Sequence, residues 1–171
     1  MTRATALVLL WFTAIVIAST WPVYEEPRND GILDWDHHFV PHEVTRISLF
    51  EYGQLPLWDP WKGGGNPNLA HPESSTLTPF TLLHGWFGTV LGVKLEIAIH
   101  LLLGLLGARQ LARFFGFSEA GACLAALLMA AGGAYAQHVT VGHLWMFTHM
   151  YSPWVLWLFC RSLRERKPVW P

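Results

Sequence analysis

Charge is what this sequence has least of. Asp, Glu, Lys and Arg make up 13% of its 171 residues, against roughly 25% in a typical soluble domain. That scarcity excludes an ordinary water-soluble domain. With 52% apolar residues and ten Trp, the chain points to a bilayer as its solvent. Cysteine is nearly absent too. Cys123 and Cys160 both lie in apolar runs, which excludes a disulfide framework and leaves thiols buried in helices. There is no internal repeat, no low-complexity tract and no stretch with the composition of a soluble domain. The net charge of −1 gives no argument for a nucleic-acid partner, and none is expected.

What is present is a set of long uncharged runs. A spanning helix needs about 20 mostly apolar residues. Residues 4–21 form the first such run. Its "MTR" start also fits a signal peptide, but further runs follow, and Trp11 and Trp21 suit interfacial anchors. A second span is expected over 95–113. A third, rich in small residues, is expected over 118–136, with Ser118 as N-cap and Glu119 in its first turn. A fourth is expected over 144–161, kinked at Ser152-Pro153, with a re-entrant segment as the alternative. The expected fold class is therefore an all-α membrane protein with about four transmembrane helices.

The cations orient it. Arg3, then Arg109 and Arg113, then Arg161, Arg164, Arg166 and Lys167 all fall on one side of a four-span chain, the cytoplasmic side by the positive-inside rule. The loop 22–78 then lies outside the cell membrane. It holds nine acidic residues against three basic ones, Arg28, Arg46 and Lys62. The closing stretch "RERKPVWP" leads to the expectation that the chain is the N-terminal portion of a longer polytopic protein.

Chemistry-bearing residues concentrate in the outer loop. "DWDHH" sets Asp34, Asp36, His37 and His38 within five positions. Carboxylates at a wet membrane surface carry no large desolvation cost. Asp-x-Asp with adjacent His, here Asp36 and His38, is a pattern able to hold a divalent cation. Residues 41–52 read as an amphipathic surface helix with Pro41 in its first turn and Gly53 at its C-terminal end. Residues 54–79 cannot be a helix, given five prolines and the run Gly63-Gly64-Gly65. Those glycines form a tight turn or a phosphate cradle. Trp58 and Trp61 belong to an interfacial aromatic belt or stack on a sugar. Residues 79–91 are expected to be a second interfacial helix, and Lys94 and Glu96 to snorkel at the outer end of the second span. Gln137, His138 and His143 lie near the same outer surface. His100 and His149 lie within spans, where they are expected to face the bundle or its cavity, and they offer no bis-histidine pattern for haem.

The succession "EYGQLPLWDPWKGGGNPNLAHPES", followed by apolar helices and then "GHLW" and "PW", resembles the YfhO-like bacterial membrane proteins. These are similar to class C glycosyltransferases, the GT-C fold. In that fold an acidic residue follows the first span and two surface helices follow in the same loop. The resemblance implies transfer of a sugar from a polyprenyl-phosphate carrier to an acceptor at the outer face of the bacterial cytoplasmic membrane. Such transfer needs a general base and a cation or metal for the leaving phosphate. Asp34 or Asp36 would be the base, Arg46 or Lys62 would meet the phosphate, and Trp58, Trp61 and His143 would line the substrate. The lipid bilayer and a lipid-linked sugar donor are the expected partners, and a divalent cation the one cofactor to consider. Two other classes share the layout: a non-enzymatic protein that binds or moves a lipid-linked glycan, and a structural subunit of a membrane assembly.

Overall fold

A computed structural model describes the chain except residues 1, 2, 27–33, 72, 73, 75, 131 and 166–171. Arg28, Arg166 and Lys167 therefore lie outside the described residues, as does the side chain of Asp36. The chain is mostly helical. Three helical stretches are long and apolar enough to cross a bilayer: Thr5–Glu25, Thr89–Phe114 and Glu119–Val141. The residues fall into two compact units.

The first unit comprises Met1–Trp21, Ala98–Val139 and Met146–Pro171. Helix α1 (Arg3–Glu25) runs four residues beyond its expected end, passing through Pro22. A proline so near a helix terminus removes one hydrogen bond and is tolerated there. Helix α4 (Thr89–Phe114) is followed by α5 (Glu119–Ala130). Ser118 accepts the backbone N–H of Gly121 at 3.2 Å, as an N-cap should. Arg109 and Arg113 of α4 hold Glu119 at 2.6 and 3.5 Å across the short turn. Ala122, Ala126 and Ala130 are fully buried. They recur every four residues, so α5 presents a stripe of methyl groups that admits a close neighbour. The opposite face shows Leu124 and Leu128 exposed, as do Leu7, Leu10 and Ile17 of α1. Apolar exposure of that extent suits hydrocarbon surroundings rather than water. Cys123 and Cys160 are both free, on helices as expected.

The fourth expected span is built differently. Helix α6 (Gly133–Val141) precedes it; residues Leu144–Tyr151 form a 3₁₀ run, and α7 (Ser152–Glu165) starts only afterwards. Pro153 sits in the first turn of α7, where its missing N–H costs nothing. Fourteen residues rise about 21 Å, less than the roughly 30 Å of a hydrocarbon core. His100 is buried, stacked 4.7 Å from Phe147, with Tyr151 Oη 3.1 Å from its Nε2. His149 is exposed, so it does not face the packed interior of this unit. The 3₁₀ geometry places successive residues at 120° rather than 100°, which shifts which side of the run His149 occupies.

The second unit comprises Pro22–Ile97 and Thr140–Trp145. Helix α2 spans Trp35–Arg46, not 41–52, so Pro41 lies in its interior and "DWDHH" lies on its first turns. It passes into a π-helical turn over Ile47–Glu51. One face of α2 buries Trp35, Phe39, His42 and Thr45, and Val44 is buried on the other side. Two of those four are polar, which is why an apolar-stripe reading started the helix six residues late. Arg46 binds Glu43 at 2.6 Å and Glu51 at 2.9 Å, clamping α2 to the π turn. The guanidinium holds the Glu43 carboxyl below the usual carboxylate range. Both carboxylates are about half exposed, so each pair should contribute no more than about 1 kcal/mol. Arg46→Ala is expected to lower thermal stability by that small amount, and less at high salt. A loss of several kcal/mol in a melting experiment would refute this weighting.

After the π turn, β1 (Trp58–Asp59) pairs antiparallel with β2 (Asn66–Pro67), joined by the glycine turn. Gly65 has φ +116, and a Cβ there would lie 2.3 Å from the Trp58 ring. Asn68 is buried and ties this ribbon to α2, donating to Pro41 O at 3.4 Å and Thr45 Oγ1 at 3.1 Å. Thr45, Thr76 and Thr81 extend the network, so the buried polar groups of this loop satisfy one another. Helix α3 (Thr81–Phe87) is shorter than the expected 79–91 and ends at Gly88, φ +82. Helix α4 then begins at Thr89, six residues before the expected second span. Lys94 and Glu96 are consequently buried rather than snorkelling, with Lys94 Nζ donating to Glu26 O at 2.7 Å.

Candidate functional site

Asp34 is the residue before α2, a position where the helix dipole favours a carboxylate. Its side chain makes no capping bond to its own helix. It accepts instead from His143 Nε2 at 2.8 Å, across 109 positions of sequence. Three further features hold that pair. Asp34 N donates to Val141 O at 3.2 Å. Trp35 Nε1 donates to Thr140 O at 3.3 Å. Between them, Gly142 takes φ +87, and a Cβ on it would sit 2.6 Å from Trp35 N. Because a carboxylate only accepts, the imidazole proton is on Nε2. The side chains are 55% exposed for Asp34 and 37% for His143, so the pair is open to a substrate.

The other expected site residues scatter. Arg46 is committed to Glu43 and Glu51. Lys62 is partly buried at the start of the glycine turn, its carbonyl accepting from Gly65 N at 2.9 Å. Trp58 and Trp61 are exposed on the ribbon. Between them, the buried Asp59 accepts the backbone N–H of Trp61 at 2.8 Å, a local turn bond. Asp34 and His143 meet; Arg46, Lys62, Trp58 and Trp61 make no described contact with either.

A second constellation lies deeper in the same unit. The His38 ring packs 4.4 Å from His42, and the His42 ring 4.9 Å from His84. Burial and the neighbouring imidazoles push His38 down to about 2 and His42 to about 4. Both are neutral at physiological pH. His42 Nδ1 lies 2.8 Å from His38 O. A carbonyl only accepts, so Nδ1 carries the proton and Nε2 the lone pair. His84 is wholly buried on α3, with Nε2 2.9 Å from Glu96 Oε1 of α4. Neither His84 ring nitrogen makes a hydrogen bond among the described residues. His42, His84 and Glu96 each offer one ligand atom within 4.8 Å of the others.

The expected metal pair was Asp36 with His38. The side chain of Asp36 lies outside the described residues, and the grouping with ligand spacing is His42, His84 and Glu96. Sequence reasoning missed it because the three share no local motif. The available signal was partial: His84 and Glu96 are ionisable residues in apolar stretches, whereas His42 stands in a polar one. No protein-family model matches this chain, and comparison with curated proteins and with solved structures returns no match.

Proposed function

We propose that this chain belongs to a membrane glycosyltransferase of the class C type, resident in a bacterial cytoplasmic membrane. In this reading the polypeptide crosses four times, the 3₁₀ run and α7 together making the last crossing. The N-terminus is cytoplasmic, and residues 22–78 face outward. A sugar moves from a polyprenyl-phosphate carrier to an acceptor hydroxyl at the outer face.

The observation that carries the reading is the bond between Asp34 and His143, 2.8 Å long and open to solvent. Two segments far apart in sequence converge to orient one carboxylate, at the start of a helix and against an imidazole N–H. A carboxylate so held can take the proton of an attacking hydroxyl. His143 positions it. With Arg46 paired to two carboxylates, the cation left to meet the leaving phosphate is Lys62, and the exposed Trp58 and Trp61 offer faces for a sugar.

The test uses membrane vesicles containing the full-length protein and a panel of radiolabelled polyprenyl-phosphate sugars. Label should pass from one donor into a non-lipid product. In parallel, a cysteine at position 37, with Cys123 and Cys160 changed to Ser, should react with a membrane-impermeant maleimide from outside intact cells. Labelling only after lysis would place the loop in the cytosol and overturn the proposal.

A further inference from the structure

We infer that His42, His84 and Glu96 form a binding site for a borderline divalent transition-metal ion, with zinc as its type. The inference stands apart from glycosyl transfer, because it rests on different residues and is read by metal content.

The geometry supplies the argument. Three donor atoms from three helices, α2, α3 and α4, converge within 4.8 Å. Two atoms each bound about 2.0–2.1 Å from one tetrahedral ion sit about 3.3–3.4 Å apart, so a pair a few tenths of an ångström closer needs only a small outward shift. His84 Nε2 and Glu96 Oε1 are 2.9 Å apart. His84 is fully buried and its ring nitrogens make no hydrogen bond among the described residues. A buried imidazole without a hydrogen bond has given up its water partners without replacing them, and a metal–nitrogen bond would supply the replacement. His42 adds an independent sign. Its Nδ1–H donates to the His38 carbonyl at 2.8 Å, the outer-shell bond that characteristically fixes the tautomer of a metal-ligating histidine. In that tautomer Nε2 is the ring nitrogen able to act as a ligand. Glu96, 3% exposed, brings a carboxylate to a place where charge is costly unless offset. A divalent ion offsets it.

The donor set selects the ion. Two imidazole nitrogens disfavour magnesium and calcium, which take oxygen ligands and, in the case of magnesium, retain waters. Two histidines and one carboxylate are a recurrent zinc set, with a fourth position left for water or a small anion.

The experiment measures metal in the purified full-length protein in detergent, after desalting, by mass spectrometry. The wild type should retain about one equivalent of zinc. After chelation it should take up Co²⁺ with the strong visible absorption of four-coordinate cobalt, and chelation should lower its melting temperature. His84→Gln and Glu96→Gln should each weaken binding by more than the roughly 10–100-fold that loss of an outer-shell partner costs. Both should also lose the response to chelator while remaining monodisperse. Retention unaltered in either folded variant would overturn the site. Should both variants aggregate, the wild type decides alone. No zinc and no cobalt uptake would mean that His84 and Glu96 form only a buried ion pair.

Discussion

Asp34→Asn should abolish sugar transfer, with a loss of about 10²–10⁴-fold in turnover, the usual contribution of a general base. That corresponds to roughly 3–5 kcal/mol of barrier. The substitution separates chemistry from architecture. Asparagine keeps a carbonyl oxygen that can still accept from His143 Nε2, and the backbone bond from position 34 to Val141 O is untouched. Expression, membrane insertion and melting temperature should therefore match the wild type. His143→Ala should cost less than Asp34→Asn, since the imidazole orients the carboxylate and does not itself take the proton. Undiminished product from Asp34→Asn would exclude catalysis by this pair and favour a protein that binds a lipid-linked glycan without transforming it.

Gly142→Ala should be the most damaging single methyl group in the second unit. Residue 142 has φ +87, and a left-handed backbone costs a non-glycine residue about 1–2 kcal/mol. The larger cost is steric. The added Cβ would stand 2.6 Å from Trp35 N and 2.8 Å from the Asp34 carbonyl carbon. Both are main-chain atoms, which cannot rotate away as a side chain would. The 140–145 segment must then move off the start of α2. The bonds Asp34 N to Val141 O, Trp35 Nε1 to Thr140 O and Asp34 to His143 would go together. Hydrogen exchange at the Asp34 amide should accelerate sharply, and transfer should fall at least as far as in His143→Ala. Wild-type exchange rates in Gly142→Ala would show that the two segments are not packed as described.

Ser118, Glu119 and the small residues after them were legible as the start of a closely packed helix, because capping and side-chain size are local properties. The α2 boundary was not. Pro41 looks like a helix start, yet the helix runs through it. Trp35, Phe39, His42 and Thr45 bury one face, and Asn68 takes up the Pro41 carbonyl from outside the helix. The break between the next two helices also fell elsewhere than expected, at Gly88, where α3 ends and α4 begins. That moved Lys94 and Glu96 from an expected helix end into the buried part of the unit.

Composition and the order of apolar runs sufficed to show helices of membrane-spanning length. Hydropathy sums over neighbouring residues, and neighbours in sequence stay neighbours in a helix. The pairing of Asp34 with His143, and the gathering of His42, His84 and Glu96, were decided by packing alone. Each depends on where separate helices and a glycine-hinged segment come to rest against one another, and no local sum contains that information.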